Sequence, residues 1–513
     1  MCPNKRERLA GSDDPGVWPP VPTIRYPRVI RDLARLAERE FDVLVVGGGI
    51  YGLTIAYDAA QRGLSVALID RGDFGAATSF NHLKTIHGGL RYLQSADFRR
   101  MRESIRERRA FARIAPRWIA PQAFAMPTGP SLTRNPIAMR AAMALDALVG
   151  RDRNEGVDPA RRLPAGRIIA GAECRELFDG AIRSVPSAAV WYDYQTVSGD
   201  RLTLAFALGA AAHGAQLANY AEATSPLRLG GKLAGAHVRD ALTGQTFDVR
   251  ARMLVNAAGP WAATVLTDTG MRPRWPLLKA MNLVTSRPAR KASVVGATRA
   301  GRALVMLPWR GRTLIGTSES PDERQPDDQS ASREEVNAFL TDINETFPAL
   351  GLRADEVTLV HRGIVPAAAA SGRMSLLAHS RVIDHGDDGG KRELISIVGV
   401  KYTTARAVAE RAVDLVLRKL DRKPVRCRTA ETVLPGAGLD DRDDDDPLAH
   451  AMREEMAQTL SDVVIRRTGL GAAGYPGDPI VSDIANRMQI ATGWSEEQKR
   501  RECEALRAFY EVS

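Results

Sequence analysis

The clearest pattern along the chain is a change of hydrophobic period. "FDVLVV" (Phe41–Val46) is an unbroken apolar run, as in a strand covered on both faces. "IYGLTIAYDAAQR" (Ile50–Arg62) then has helical composition and stops at Gly63, a residue suited to closing a helix. "SVALID" (Ser65–Asp70) reads as a second buried strand. The pattern predicts a β-α-β unit. Two further strand-to-helix passages stand far downstream, "RMLVNAAGPWA" (Arg252–Ala262) and "ISIVGVKYTTARAVAERAVDLVLRKL" (Ile395–Leu420). The helix of the latter puts Ala409, Ala412, Val413, Val416 and Leu420 on one face, with Thr403 and Thr404 as candidate caps. "RALVMLPWRGRTLIGTSE" (Arg302–Glu319) predicts a β-hairpin around Gly311, and such alternating stretches predict an antiparallel sheet. "SADFRRMRESIRERRAFARIAPRW" (Ser95–Trp118) predicts a helix capped by Ser95, with Phe98, Met101, Ile105 and Ala112 as its apolar stripe.

The junction inside the first unit carries chemistry. Gly47, Gly49 and Gly52 form a GxGxxG frame between strand and helix. Gly47 permits the tight turn, Gly49 lets the main chain approach a pyrophosphate, and Gly52 lets helix and strand pack closely. The helix N-terminus then offers N–H donors and a positive dipole end to the phosphates. Asp70, closing the second strand, stands where a carboxylate would accept ribose hydroxyls. The frame alone is weak evidence, but between a strand and a helix with the acid in register it predicts a bound dinucleotide. A nicotinamide enzyme would keep this motif in a self-contained domain. The passages that return to it suit FAD, a long cofactor crossing the domain.

Length and composition then bound the architecture. At 513 residues the chain exceeds a single core. The expected arrangement is a mostly disordered N-terminal extension (1–40) with one basic amphipathic segment at "RVIRDLARLAERE", then 41–424, a charged linker (425–450), and a helical region (451–513). Within 41–424 the FAD-binding segments fall at about 41–120, 180–265 and 355–420, interleaved with substrate-binding sheet. Net charge is +10, which suits anionic substrates or an acidic membrane surface. No nucleic-acid-binding pattern stands out. Cys2, Cys174, Cys427 and Cys503 are scattered, so no metal or redox pair is expected and a reduced cytoplasmic setting is. The acidic run in "AGLDDRDDDDPLAH" (Ala437–His450) reads as solvated linker. No apolar run is long enough to span a bilayer, yet "NPIAMRAAMALDALVG" (Asn135–Gly150) and the Arg-rich 95–118 helix read as candidates for lying on a membrane surface.

Together with "ATSFNHLKTIHGGLRYLQ" (Ala77–Gln94), "VNAAGPW" and "GVKYTT", the glycine motif resembles the FAD-dependent glycerol-3-phosphate dehydrogenases, within the D-amino-acid-oxidase-like flavoprotein group. "MREEMAQTLSDVVIRRTGLG" (Met452–Gly471) is similar to the C-terminal helical cap of these dehydrogenases. The resemblance implies an α/β fold: a Rossmann-like FAD domain, an antiparallel-sheet substrate domain and a helical cap domain. It implies hydride transfer from glycerol 3-phosphate to FAD, giving dihydroxyacetone phosphate, with electrons passed to quinone at the inner face of the cytoplasmic membrane or to another acceptor. It assigns Thr78, Ser79 and Lys84 to the cofactor's surroundings along with Ala258, Gly259, Gly399 and Thr403. His87, Arg91, Tyr92 and Lys401 fall on the stretches that face flavin and substrate. The small-molecule partner would be a phosphorylated polyol or similar; a homodimer is left open.

Departures keep other readings open. Val365 in "HRGIVPA" stands at the family's substrate-binding arginine, and Arg362, three residues earlier, would point to the other face of a strand. Asn282 in "LKAMNLV" replaces a family histidine. Phe80, His82 and Leu83 replace small polar residues, and Tyr51 replaces the usual asparagine of the glycine motif. Arg310 and Arg312 read as a solvated turn, and His361 as a weak candidate. The alternatives are a flavoenzyme of the same architecture acting on a small hydroxy acid or amine, and a flavin-binding protein without turnover.

Overall fold

Burial explains why Glu40–Val46 is a central strand: every residue after Glu40 is buried. Such a strand needs cover on both faces. In the computed structural model, which describes residues 28–512 apart from 132–133, 179–180, 183–184, 268, 272–274, 371–372, 387–390 and 440–445, that cover comes from sequence-distant pieces. Helices Ile50–Gln61, Gly199–Ala212 and Ala405–Lys419 pack on one face through Leu53, Tyr57, Phe206, Ala409, Val413 and Val416. A smaller cluster around Leu36, Leu44, Ala67 and Val249 covers the other. The first 27 residues of the N-terminal extension and the acidic stretch 440–445 lie outside the described residues.

Among the described residues this sheet runs, by strand, Arg381–Asp384, Leu394–Val398, Thr246–Asn256, Glu40–Val46, Val66–Ile69 and Gln216–Ala218. The last five are mutually parallel. Val46 pairs with Ile69 on one side and Asn256 on the other, and Asn256 pairs with Ser396. The strand ends before Gly47, Asp70, Ala257 and Gly399 therefore open on one edge, the place where parallel sheets bind ligands. A second, largely antiparallel sheet contains the hairpin Ala303–Trp309 with Arg312–Glu319, turned through Arg310 and Gly311 at positive φ. Its strands Leu277–Pro288 and Val357–Ala370 bring Asn282 and Val365 to the same region.

Three local expectations need correction. The Arg-rich helix is Phe98–Ile114 and its cap is Asp97, whose carboxylate accepts from the Arg100 N–H at 3.0 Å. Ala96 in the left-handed region breaks the chain away from Ser95, which ends a preceding 3₁₀ turn. Phe98, placed on the apolar stripe, is half exposed, whereas Met101, Ile105 and Ala112 are buried. Second, residues 28–40 are tied down: Val29 donates to the Glu454 carbonyl, Leu36 is buried, and Arg31 pairs with Asp240. Third, Arg310 does not sit in a solvated turn; it donates to the Gly469 carbonyl at 3.0 Å.

Gly469 belongs to a helical C-terminal lobe containing Pro447–Glu454, the π-helical turn Asp462–Arg467, Asp478–Thr492 and Glu496–Tyr510. The lobe is fastened by buried charge. Asp73, in the loop after the second strand, accepts from Arg466 Nε at 2.6 Å, from Arg467 Nη1 and Nη2 at 2.7 and 2.8 Å, and from Asn219 at 3.0 Å. Burial alone would raise the Asp73 carboxyl, but the two guanidiniums outweigh it and hold it below the usual carboxylate range. A lowered pKa contributes stability above the unfolded value, lost as pH falls through the folded one. Asp73→Asn leaves buried Arg467 with only the Glu455 carbonyl and Arg466 with Asp462 alone, and is expected to cost about 3–5 kcal/mol in chemical denaturation at neutral pH, while flattening the acid limb of the stability profile. An unchanged profile would remove Asp73 from this role.

Candidate active site

The cradle is built from absent side chains. A Cβ on Gly52 would lie 1.8 Å from the Gly47 carbonyl oxygen, and one on Gly47, at φ +108°, 2.5 Å from the Ala257 carbonyl oxygen. Only glycine lets the helix seat against the strand and the strand against its neighbour. Above this contact opens a cavity of about 620 Å³ along the strand ends, lined by Gly47, Gly49, Asp70, Ala258, Gly259 and Gly399. Asp70 accepts the N–H groups of Gly48 and of Gly72, and burial pushes its carboxyl up to about 6. Thr78 and Ser79 also line the cavity; Thr78 donates to the Ile364 carbonyl, while Ser79 Oγ accepts from the Ile50 N–H and so caps the first helix from outside. Cavity size, phosphate-facing helix end and buried acid together fit an extended dinucleotide.

At one end the cavity reaches Lys401, the lining member of a group of cations gathered behind it around the Tyr92 ring. Lys401 lines the cavity and its ammonium donates to the Tyr92 hydroxyl, with Nζ 4.3 Å from the ring centroid. Arg91 and Arg100 carry their guanidinium carbons to 5.3 and 4.2 Å of the same centroid. The His87 ring sits beside it at 6.0 Å, and the His87 main-chain N–H donates to Thr403 Oγ1 at 3.4 Å. Burial, then the charges of Arg100 and Arg91, bring the Lys401 amine down to about 7. Burial, Arg91 and Lys401 hold His87 neutral, well below the usual histidine range. The arrangement offers a neutral amine near pH 7 next to fixed positive charge, which suits proton acceptance beside a bound anion.

Not every expected residue lines the cavity: of the four expected to face flavin and substrate, Lys401 lines it, whereas His87, Arg91 and Tyr92 do not. Lys84 is fully buried away from it, its ammonium donating to the Phe80 carbonyl between the Phe80 and Trp309 rings, and burial lowers its pKa to about 8. Thr403 is buried and does not line the cavity, and Thr404 makes no side-chain cap. Arg362 turns away, donating to the Val360 and Phe509 carbonyls, as its strand position requires. His361 is buried against Phe80. Val365 and Asn282 do line the cavity, and Asn282 donates to the Asn81 carbonyl at 3.0 Å. Sequence reasoning treated His82 only as a substitution, yet it lines the cavity and stacks on Tyr402, centroids 4.4 Å apart. It gave Arg100 no site role either. The basic residue one turn into a helix that follows HGGLRY was the available signal.

Residues 42–415 match the family model of FAD dependent oxidoreductases, and residues 445–499 that of the C-terminal domain of alpha-glycerophosphate oxidase. A glycerol-3-phosphate dehydrogenase of Synechocystis sp. is 31% identical over 80% of this chain and 75% of its own. The mitochondrial glycerol-3-phosphate dehydrogenase of Mus musculus is 32% identical over 74% of this chain, which spans only 53% of that relative's length. Among solved structures, the Bacillus halodurans glycerol-3-phosphate dehydrogenase complexed with FAD superposes with a TM-score of 0.73 at 23% identity, covering 94% of this chain and 96% of that one.

Gly52→Ala forces a methyl group into the Gly47 carbonyl. The purified variant is expected to retain less than about a tenth of the wild-type flavin content, since the backbone shift opens the phosphate cradle. Full flavin absorbance in the variant would refute the cradle.

Proposed function

The chain belongs to the FAD dependent oxidoreductases, among the glycerol-3-phosphate dehydrogenases, and from that premise we propose that it oxidises glycerol 3-phosphate to dihydroxyacetone phosphate. The observation that carries the reading is the Lys401 amine, lowered to about 7 and held at the cavity's end beside Tyr92, Arg91 and Arg100. FAD, when bound, supplies the acceptor for the hydride from the secondary alcohol carbon. Gly47, Gly49, Asp70, Ala258, Gly259 and Gly399 would hold it, with Thr78 and Ser79 alongside.

The remaining chemistry falls to side chains. Arg91 and Arg100, with no carboxylate in ion-pair range among the described residues, hold the phosphate dianion. Neutral Lys401 takes the hydroxyl proton as the hydride leaves, and Tyr92 orients its amine. Neutral His87, packed beside Tyr92, adds no charge of its own. A second reading, a small hydroxy acid or amine as substrate, is favoured by Val365 and Asn282 lining the cavity where the family carries substrate-binding residues.

Anaerobic addition of glycerol 3-phosphate is expected to bleach the flavin band; bleaching only by unphosphorylated hydroxy acids or amines would select the second reading. Because the amine must be neutral to accept a proton, kcat/KM is expected to rise with pH through about 7 and then level off. Lys401→Met should lose that limb together with about 10²–10⁴ of the rate. A limb that survives in the variant assigns it to another group.

The electron acceptor is a quinone reached at a membrane surface, and the enzyme is cytoplasmic and peripheral. Helix Pro136–Val149 supports this, holding Ile137 and Leu148 at 76% and 66% exposure beside Arg134 and Arg140. No helix among the described residues is long and apolar enough to cross a membrane. Vesicles with a quarter anionic lipid are expected to sediment the protein at low salt, and Ile137→Glu with Leu148→Glu to weaken this at least about tenfold. Equal sedimentation of the double variant would end the membrane reading for this helix.

A further inference from the structure

Tyr51 stands in the glycine motif, at the second position of helix Ile50–Gln61, and its ring lines the cavity. Its hydroxyl reaches a segment 350 residues away in sequence. The phenol oxygen accepts the N–H groups of Val400 and Lys401, each at 3.0 Å, and donates to the Lys401 carbonyl at 2.7 Å. Ser380 Oγ joins the same hub, 3.0 Å from the phenol oxygen and accepting from the Val400 N–H at 3.1 Å. The ring itself lies on Gly399, where a Cβ would come within 2.4 Å of Tyr51 Cε2. Glycine at 399 and tyrosine at 51 are thus complementary: one removes a side chain and the other fills the space. Asparagine at 51 would end well short of these amides.

We infer that Tyr51 is a positioning residue, whose hydroxyl fastens the main chain of Val400 and Lys401 to the phosphate-facing helix and so sets where the Lys401 side chain enters the site. The Lys401 ammonium reaches forward to Tyr92, and besides the phenol its main chain is held by the Thr404 hydroxyl and N–H, at 3.5 and 3.3 Å from its carbonyl. The turn that presents it, Tyr402–Thr404, has no side-chain cap. The phenol supplies what a cap would, two amides accepted and one carbonyl satisfied, and it does so from the element that cradles the cofactor. Displacement of a reacting group by about 1 Å costs on the order of 10²-fold in rate, so a strut at the base of Lys401 acts on turnover without touching substrate.

The inference rests on Lys401 belonging to the reacting site, and its test separates the two. Tyr51→Phe keeps the ring against Gly399 and removes only the hydroxyl. Amide hydrogen exchange of the peptide covering Gly399–Thr403, read without substrate, is expected to quicken about fivefold or more at Val400 and Lys401, the effect of losing one net hydrogen bond. FAD affinity, read by quenching of flavin fluorescence, is expected to change less than about threefold, whereas kcat falls about tenfold or more with KM little moved. Unchanged exchange, faster exchange with unchanged kcat, or a loss explained by FAD release would each overturn the assignment. Should Tyr51→Phe not fold, Ser380→Ala reads the hub from its other side: faster exchange at Val400 supports it and unchanged exchange overturns it. If glycerol 3-phosphate fails as substrate while exchange still quickens, the substrate assignment fails and the strut stands.

Discussion

The rest of the molecule is arranged around one close approach, that of Gly52 to the Gly47 carbonyl. Because no side chain stands between them, the first helix lies against the first strand at a distance no other residue allows. That seating aims the helix N-terminus along the carboxyl edge of the sheet, where Asp70, Ala258 and Gly399 arrive from three other strands. The same helix carries Tyr51 outward to the Lys401 turn. Cofactor cradle and Lys401 turn are therefore placed by a single piece of backbone.

The electrostatics of the site work by imbalance. Tyr92 is surrounded by Lys401, Arg91 and Arg100, and the nearby acids balance them only in part: Glu103 and Asp97 oppose the lowering of Lys401, but Glu103 pairs with Arg411 and Asp97 is engaged by a helix N-terminus and His379. Such a cluster is costly in an empty site and favourable around a dianion, so the part of the Lys401 lowering that Arg100 and Arg91 add to burial is recovered when an anion binds. Burial first, and then the same cations, keep the neighbouring His87 neutral.

The parallel sheet was legible because its signals are local. The shift from an apolar run to a helical pattern around Gly47, and its echoes at Arg252–Ala262 and Ile395–Leu420, need no knowledge of the fold. The stripe Ala409, Ala412, Val413, Val416 and Leu420 is buried for the same reason. Cap choice between Ser95 and Asp97 was not legible, since it turns on one left-handed residue, Ala96. Lys84 escaped because its environment is made by Trp309, from a hairpin far along the chain. Arg310 likewise turned on contact with a lobe that packs only in the folded protein. Side chains whose surroundings come from distant strands carry little local signature, and the site residues around Tyr92 were reached only through a family likeness.

The loop that carries Asp73 has a consequence for how the two lobes came to be inseparable. Asp73 borders the cofactor cavity, yet both its oxygens are claimed by arginines of the C-terminal lobe. A chain cut short before Asp462 would leave a carboxylate with Asn219 but no counter-ion, facing the very place where phosphates and sugar are to lie. The helical appendage thus serves as the counter-ion of the nucleotide fold, and trimming this protein to a minimal flavin module would first require rewriting residue 73.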